Sequence, residues 1–216
     1  MTSPDMTSTA EDPRHAAAAA LRRLGHAVVA HEADPDLLLR VAEQATATAE
    51  VVEAGVRRTR DVVAVKRELW EEAPPTGGRM AHFEECVVSG RANPMGIMME
   101  VTRDGDEVVG DITLGAAFEG APRRAHGGIV AAILDDIMGY QLLVQATPAY
   151  TGRLQVRYTA PTPVEAPLVA RSWLESRDGR KLQLRATLAT PDGDVLAEGD
   201  ALFIAIPPER FTDPDR

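Results

Sequence analysis

The chain has little of several residue types on which familiar functional sites depend. Its 216 residues include one cysteine, Cys86, so no internal disulfide can form, and we expect a reducing compartment such as the cytoplasm. Lysine occurs twice, at Lys66 and Lys181, and the 23 basic residues are outnumbered by 33 acidic ones. The formal net charge of −10 argues against a nucleic-acid partner, which would require a basic face.

Long hydrophobic runs are also missing. No apolar stretch approaches the roughly 20 residues of a membrane span. The first 13 residues lack the basic start and the apolar core of a secretory signal. We therefore expect no membrane span. A hydrophobic content of 44% with 26% charged residues is typical of a globular domain.

Several catalytic motifs are absent as well. The chain has no G-x-S-x-G elbow, no P-loop and no dinucleotide fingerprint. Four histidines, His15, His26, His31 and His82, show no ligand spacing with acids or cysteine, so the sequence predicts neither a metal nor a cofactor. Cys86 has no matched histidine or asparagine, and we interpret it as a buried strand residue.

The order of local signals divides the chain into four predicted regions. Asp12-Pro13 and Asp34-Pro35 are typical helix starts, and they predict helices from Arg14 to His31 and from Asp36 to Arg60. The regions are a disordered N-terminus (1–13), a helical extension with a linker (14–75), the principal domain (76–206) and a flexible tail (207–216).

The principal domain reads as α+β. Asp104-Gly105 predicts a hairpin between strands at Ile97–Arg103 and Glu107–Leu114, and a helix is predicted from Gly127 to Gln145. Four further strands are predicted at Thr151–Tyr158, Leu168–Ser176, Lys181–Thr190 and Val195–Ile206. A single apolar helix must be covered by a sheet or by a partner, so we expect an antiparallel sheet wrapped around it.

The start of that helix carries the residues of greatest chemical interest. His126-Gly127-Gly128 places backbone N–H groups, uncovered by side chains, at the positive end of the helix dipole. Asp135 and Asp136 interrupt the apolar run, and a carboxylate on a buried helix is costly unless it is paired or in use. An oxyanion-binding turn and a half-buried carboxylate are two parts of an acyl-transfer site.

Three motifs resemble those of the hotdog-fold acyl-CoA thioesterases of the phenylacetate-pathway (PaaI) type, and they follow one another along the chain as they do in that family. The first is H-G-G at the start of the central helix, followed by an acid nine positions after the histidine, here His126 and Asp135. The second is C-V-V-S-G-R-A-N-P-M-G, from Cys86 to Gly96, which is similar to the family's C-x-x-C/S-G-x-x-N-P-x-G. The third is T-x-x-L-x-V-x-Y-x-x-P-x-P, from Thr151 to Pro163.

The resemblance covers about residues 82–206 and implies a hotdog fold with an N-terminal helical extension. The run F-E-G-A-P-R-R-A-H-G-G, which begins at Phe118, is most similar to the mammalian long-chain branch. Many relatives have Asn or Gln before H-G-G, where this chain has Gly120, Ala121 and Pro122. The resemblance also implies hydrolysis of acyl-CoA, in fatty acid metabolism or a related pathway, by dimers or dimers of dimers.

The spacing of the two reactive groups gives a separate reason to expect a dimer. If Gly127 and Asp135 share one helix, eight residues separate them by about 12 Å. Reacting groups must lie within about 3 Å of a common centre. Two chains with antiparallel helices could each supply Gly127 to one site and Asp135 to the other.

Each candidate residue has a chemical and a structural interpretation. Asp135 either activates water or attacks the thioester carbonyl itself; the structural alternative is an interfacial ion pair. The Gly127 N–H polarises the carbonyl, and His126 either shapes that turn, acts as an acid or is structural. Thr151 either bonds Asp135 or the lytic water, or is an ordinary strand threonine.

A second group of residues is assigned to substrate binding. Gly128 allows close backbone packing, Phe118 belongs to the turn before the helix, and Asp136 is interpreted as structural, with a bond to a loop of the partner chain as one form of that role. Arginine forks match phosphate, so Arg157 is a candidate for the CoA phosphates. The other candidates for that role are Arg123, Arg124 and Arg153.

Three functions remain open from the sequence. The first is an acyl-CoA thioesterase, with medium or long acyl chains weakly favoured by Ala131, Ala132, Ile133, Ile137 and Met138. The second is a non-catalytic acyl-CoA-binding protein that acts as a sensor or pathway accessory. The third is a thioesterase that acts on acyl carrier protein; a hotdog dehydratase is disfavoured, because H-G-G with an acid nine positions after the histidine is not the dehydratase pattern. The N-terminal helices either cover the acyl tunnel or extend the oligomer interface.

Overall fold

The computed structural model describes residues 12–59 and 72–207. Two helices come first, α1 (Pro13–Ala30) and α2 (Pro35–Glu53). Both begin as the Asp-Pro pairs predict. The Asp12 carboxylate accepts the Arg14 N–H, and Asp34 caps α2 in the same way. The predicted disorder of residues 1–11 and the predicted tail at 208–216 lie outside the described residues.

A single antiparallel sheet of seven strands follows. Its strands are β1 (Arg79–Met80), β2 (Glu100–Asp104), β3 (Glu107–Thr113), β6 (Ala149–Tyr158), β7 (Pro167–Asp178), β8 (Lys181–Ala189) and β9 (Val195–Ala205). They are ordered β1-β2-β3-β7-β8-β9-β6, which leaves β6 at one edge. A small separate hairpin joins β4 (Glu119–Ala121) to β5 (Arg124–Ala125).

The long helix α3 (Gly127–Val144) packs across this sheet and forms the centre of the core. Its Ile133, Leu134, Ile137 and Met138 are fully buried against strand residues such as Leu184. A side chain at Gly199 of β9 would crowd Leu134 and Met138 at 3.2–3.3 Å, so glycine there lets the helix lie close to the sheet. The predicted antiparallel sheet around one central helix is confirmed.

Two buried hydrogen bonds fix α3 on the sheet. The Ser172 hydroxyl donates to the Ile137 carbonyl at 2.9 Å, and the Gln141 amide donates to the Asp106 carbonyl at 2.8 Å. By length and composition, α3 is also apolar enough to cross a membrane, and 56% of it is buried inside the protein. The expectation that the chain has no membrane span therefore stays a prediction.

Helix α1 lies against the loops that precede α3. The His26 ring accepts the Ala117 N–H at 3.1 Å and stands edge-on to Phe118, with 5.2 Å between the ring centres. His15 bonds Glu84 at 2.5 Å at the other end of the helix. The predicted N-terminal extension is therefore tied to the domain through α1.

The structure differs from the predicted elements at several places, among them strand β2, which begins at Glu100 and not at Ile97, and strand β1, which was not predicted. Helix α2 ends at Glu53 and not at Arg60, because Ala54 and Gly55 turn the chain back onto carbonyls of the last helical turn. The hairpin of β4 and β5 was not predicted. Cys86 lies in a loop and not in a strand.

Candidate active site

The N-terminus of α3 is capped by His126. Its ring Nδ1 accepts the Gly128 N–H at 3.0 Å, and its own backbone N–H donates to the Phe118 carbonyl at 2.8 Å. The ring nitrogen that accepts cannot carry the proton in this arrangement, so the proton of the neutral ring is on Nε2. His126 thus shapes the turn, which is one of the three roles considered for it from the sequence.

The Gly127 N–H is left free by this cap. It donates to no acceptor in the described part of the chain, whereas the Gly127 carbonyl accepts the Tyr158 hydroxyl at 2.8 Å. The N–H lies at the positive end of the dipole of an 18-residue helix. An unused donor at this position can hold a carbonyl oxygen that gains negative charge.

A pocket of about 430 Å³ opens beside this turn. Gly127, His126 and Tyr158 line one part of it, and Arg124 and Pro161 another. Among the arginines proposed for phosphate, Arg124 is thus the one that shares a pocket with the glycine turn. The pocket brings an unused donor, an aromatic hydroxyl and a cation together.

Asp135 lies further along α3 and is half-buried. The Thr151 hydroxyl donates to its Oδ1 at 3.0 Å, which is one of the two partners predicted for Thr151. Burial raises the pKa of Asp135, the Thr151 hydrogen bond opposes that rise, and the negative charge of Asp136 adds to it. A carboxylate with a raised pKa is a better proton acceptor, as a general base requires.

A break in the strand ladder places Thr151 at this point. Strand β6 changes register between Thr151 and Arg153, so that Gly152 bulges out of its pairing with β9. Such bulges bend a strand and redirect the neighbouring side chains. The threonine is thereby exposed beside Asp135.

Asp136 points away from this pair, toward the loop before β2. Its Oδ1 lies 3.1 Å from His82 Nε2 and 3.2 Å from Cys86 Sγ. The expectation that His82 has no acid or cysteine near it was therefore wrong, since the fold joins residues about 50 positions apart. Burial, with the nearby Asp136 charge, raises the pKa of the Cys86 thiol.

The other residues assigned to substrate binding do not all lie beside the pocket. Gly128 is exposed at the helix start, where a side chain would meet the His126 ring at 3.1 Å. Phe118 is half-buried and holds His126 through its carbonyl. Arg157 is 79% exposed, lies 3.7 Å from Glu198 and does not line the pocket beside Gly127.

One residue of the site was not selected from the sequence. Tyr158 is the tyrosine of the third motif, T-x-x-L-x-V-x-Y-x-x-P-x-P, and the motif was the available signal for it. Outside the site, the contact of His82 with Asp136 carried no signal, because the two residues are 54 positions apart in the chain. The described chain thus brings Asp135 to Thr151 and Gly127 to Tyr158, with about 12 Å of helix between the two groups.

Comparison with known proteins finds similar chains. No family model matches the chain. The acyl-coenzyme A thioesterase THEM4 of the mouse, Mus musculus, is 34% identical over 97 residues, which cover 44% of this chain and 42% of the relative. The same protein of Xenopus laevis is 30% identical over 95 residues, or 44% of this chain and 43% of the relative.

A solved structure extends the likeness to nearly the whole chain. A thioesterase superfamily protein superposes with a TM-score of 0.75 at 25% identity and covers 94% of both chains. The matches to the curated relatives, in contrast, span less than half of those relatives' length. These findings confirm the resemblance of the motifs: the chain has the hotdog fold and is related to the acyl-CoA thioesterase family.

Proposed function

We propose that the protein hydrolyses acyl-CoA thioesters to a free carboxylic acid and CoA in the cytoplasm. The single observation that carries this proposal is the pair of half-sites on α3. The N-terminus of α3 offers the unused Gly127 N–H beside a pocket, and the middle of α3 offers a half-buried Asp135 supported by Thr151. Together they supply an oxyanion donor and a base.

The chemistry follows from these two groups. Asp135 takes a proton from water, and the water oxygen attacks the thioester carbonyl carbon. The carbonyl oxygen becomes an oxyanion held by the Gly127 N–H. The C–S bond then breaks, and the CoA thiolate receives a proton from Asp135. In the other route, the Asp135 carboxylate attacks the carbonyl carbon, the C–S bond breaks and CoA leaves as a thiolate. Water then hydrolyses the resulting anhydride to the free acid and Asp135, and the thiolate takes the proton that Asp135 gives up.

We propose a homodimer, or a dimer of dimers, as the active form. The 12 Å of helix between the half-sites is about four times the reach of a reacting centre, so one chain does not complete a site. Strand β6 supports a partner, because its ten residues form an open edge of the sheet and an unpaired edge favours strand pairing. Thr151 and Tyr158 lie on this edge strand.

Fewer residues support the proposed preference for medium or long acyl chains than the sequence alone indicated. Ile133, Ile137 and Met138 are fully buried in the core and line no open tunnel in the described residues. Ala131 and Ala132 are half-buried and stay available to an acyl chain. The preference is therefore proposed from these two small residues alone.

The test is CoA release from acyl-CoA substrates of two to eighteen carbons, with phenylacetyl-CoA and benzoyl-CoA added. Wild type is compared with Asp135→Asn, which keeps the size and the Thr151 bond but removes the base. We expect kcat to fall by about 10²- to 10⁴-fold. Glu43→Gln on the exposed surface of α2 is the matched control and should leave kcat unchanged.

Each alternative function would give a different result in this assay. Acyl-CoA binding without turnover by wild type would contradict hydrolysis and favour a sensor or accessory protein. Turnover of acyl carrier protein thioesters alone would replace CoA as the carrier. Full activity of Asp135→Asn would remove Asp135 from the mechanism.

A further inference from the structure

A group of metal-binding atoms lies around Asp136, which follows the proposed base on α3 and points about 100° further round the helix. His82 Nε2, Cys86 Sγ and a carboxylate oxygen of Asp136 all lie within 4.8 Å of one another. His82 and Asp136 are each 11% exposed, and Cys86 is half-buried. Nitrogen, sulfur and oxygen donors brought together in this way match the ligands of a zinc site.

The spacing of these atoms fits a tetrahedral ion. Bonds to zinc of about 2.0–2.3 Å place neighbouring ligand atoms about 3.3–3.5 Å apart. The Asp136 oxygen lies 3.1 Å from the His82 nitrogen and 3.2 Å from the Cys86 sulfur. The third separation, between His82 Nε2 and Cys86 Sγ, is within 4.8 Å. Two of the three pairs therefore need to open slightly to reach the ligand spacing.

Asp136 also has an unused buried atom. Its Oδ2 is buried and has no hydrogen-bond partner, although an ionised carboxylate oxygen in a protein interior needs one. The hydrogen bonds of Asp136 with His82 and Cys86 use Oδ1 only. A cation held by Asp136 would stabilise the whole carboxylate, including this atom.

A cavity lies beside one of the three ligands. It has a volume of about 160 Å³ and is lined by His82, Tyr140 and Ser89, but not by Cys86 or Asp136. The Tyr140 ring stacks on the His82 imidazole at 4.1 Å and supports its orientation from one side. An ion entering through this cavity would meet His82 first.

We propose that His82, Cys86 and Asp136 form a zinc site that fastens the loop before β2 to α3, with the fourth position open to water. The Cys86 thiol loses its proton to solvent as the Zn–S bond forms. A thiolate, a carboxylate and Zn²⁺ then sum to zero charge, which suits a half-buried place. The site is separate from the proposed hydrolysis and does not depend on it.

Zinc binding at this site would break one hydrogen bond that the structure shows. The His82 Nδ1 accepts the Phe83 N–H at 2.7 Å, which places the proton of a neutral ring on Nε2. Zinc on Nε2 requires that proton to move to Nδ1, and the Phe83 hydrogen bond is lost. Three metal bonds replace it and replace the two hydrogen bonds to Asp136.

The test is titration of the chelator-treated full chain with Co²⁺, whose bond to a thiolate gives charge-transfer absorption. We expect one Co²⁺ per chain with this absorption, and its displacement by Zn²⁺. Cys86→Ser should abolish the absorption. His82→Gln and Asp136→Asn should each weaken binding by about 10-fold or more. His31→Gln, at an exposed histidine after α1, is the control and should change nothing.

Two results would overturn the proposal. One is the absence of thiolate absorption in wild type. The other is unchanged affinity in both His82→Gln and Asp136→Asn, which would mean that Cys86 binds the metal alone. X-ray absorption of the zinc-loaded wild type needs no variant, so misfolded variants do not prevent a decision. It should show one sulfur at about 2.3 Å with nitrogen and oxygen near 2.0 Å, and a shell without sulfur would contradict the site.

Discussion

The N-terminal helices and the central helix are nearly equal in length and opposite in character. Helices α1, α2 and α3 have 18, 19 and 18 residues. Nine residues of α3 are buried, whereas α1 buries Ala18 alone and α2 buries none within the described residues. Helix α3 therefore takes its stability from packing, and α1 and α2 take theirs from local signals.

The proposed chemistry is also confined to one of these two regions. Both reactive groups are on α3, because a helix held on several sides keeps its side chains in fixed positions. Helix α1 reaches the site indirectly, through His26 and the segment that ends at Phe118. The two regions can therefore be altered independently.

The largest expected contrast is in stability. Leu134→Ala, at a fully buried position of α3, should lower the free energy of unfolding by about 2–5 kcal/mol through lost packing and a new cavity. Leu39→Ala on α2, where the side chain is 64% exposed, should change it by less than about 0.5 kcal/mol. Denaturant unfolding of both variants measures the contrast, and equal losses would contradict it.

The second contrast isolates one hydrogen-bond donor. Gly127→Pro removes the N–H at the first helical position, where proline fits and where His126 already has the extended backbone that must precede it. We expect kcat to fall by about 10²- to 10³-fold. Gly127→Ala keeps the N–H and adds a methyl in ordinary contact with Tyr158 at 3.4 Å, so it should retain most activity.

The third contrast compares two threonine hydroxyls. Thr151→Val removes the bond to Asp135, which opposes the rise of that pKa caused by burial and by the Asp136 charge. The pKa of Asp135 should rise further, and the base must be ionised to act. The acid limb of the kcat profile should therefore move to higher pH, and the loss of kcat should be largest on the acid side of the profile.

Thr46→Val is the matched control for that pH profile. The Thr46 hydroxyl donates to the Ala42 carbonyl of α2 at 2.8 Å, away from the site. Its removal should leave both kcat and the acid limb in place. A profile that shifts equally in the two variants would remove Thr151 from its assigned role.

The smallest contrast concerns the helix caps. Asp34→Ala removes the carboxylate that accepts the Asp36 and Leu37 N–H groups, at a local cost of about 1 kcal/mol. Because α2 buries no side chain among the described residues, amide exchange should rise in its first turn while α3 stays protected. Faster exchange throughout α3 would show that the two regions are coupled.

Local signals in the sequence were sufficient for much of the fold. Asp12-Pro13 and Asp34-Pro35 mark helix starts because capping involves neighbours in the chain. Asp104-Gly105 and Asp178-Gly179 mark hairpins because both glycines adopt the positive φ that these turns require. Alternating side chains in Lys181–Ala189 fixed the face of β8 that meets α3.

Long-range features could not be predicted in the same way. His82 and Asp136 are 54 positions apart in the chain, and no spacing in the sequence indicates that they are in contact. The hairpin at Glu119–Ala125 turns at Arg123, which adopts φ +62° without being glycine and therefore gives no turn signal. Asp135 and Gly127 were recognised from their motif, but the bulge that places Thr151 beside Asp135 is a property of strand pairing.

The central claim is that each active site takes Asp135 from one chain and Gly127 from its partner. The direct test mixes Asp135→Asn with Gly127→Pro by co-expression and measures CoA release. Each mixed dimer has one intact site, so statistical mixing should restore about one quarter of wild-type activity from two nearly inactive parents. Activity no higher than that of the parents, with mixed dimers shown to form, would contradict the shared site.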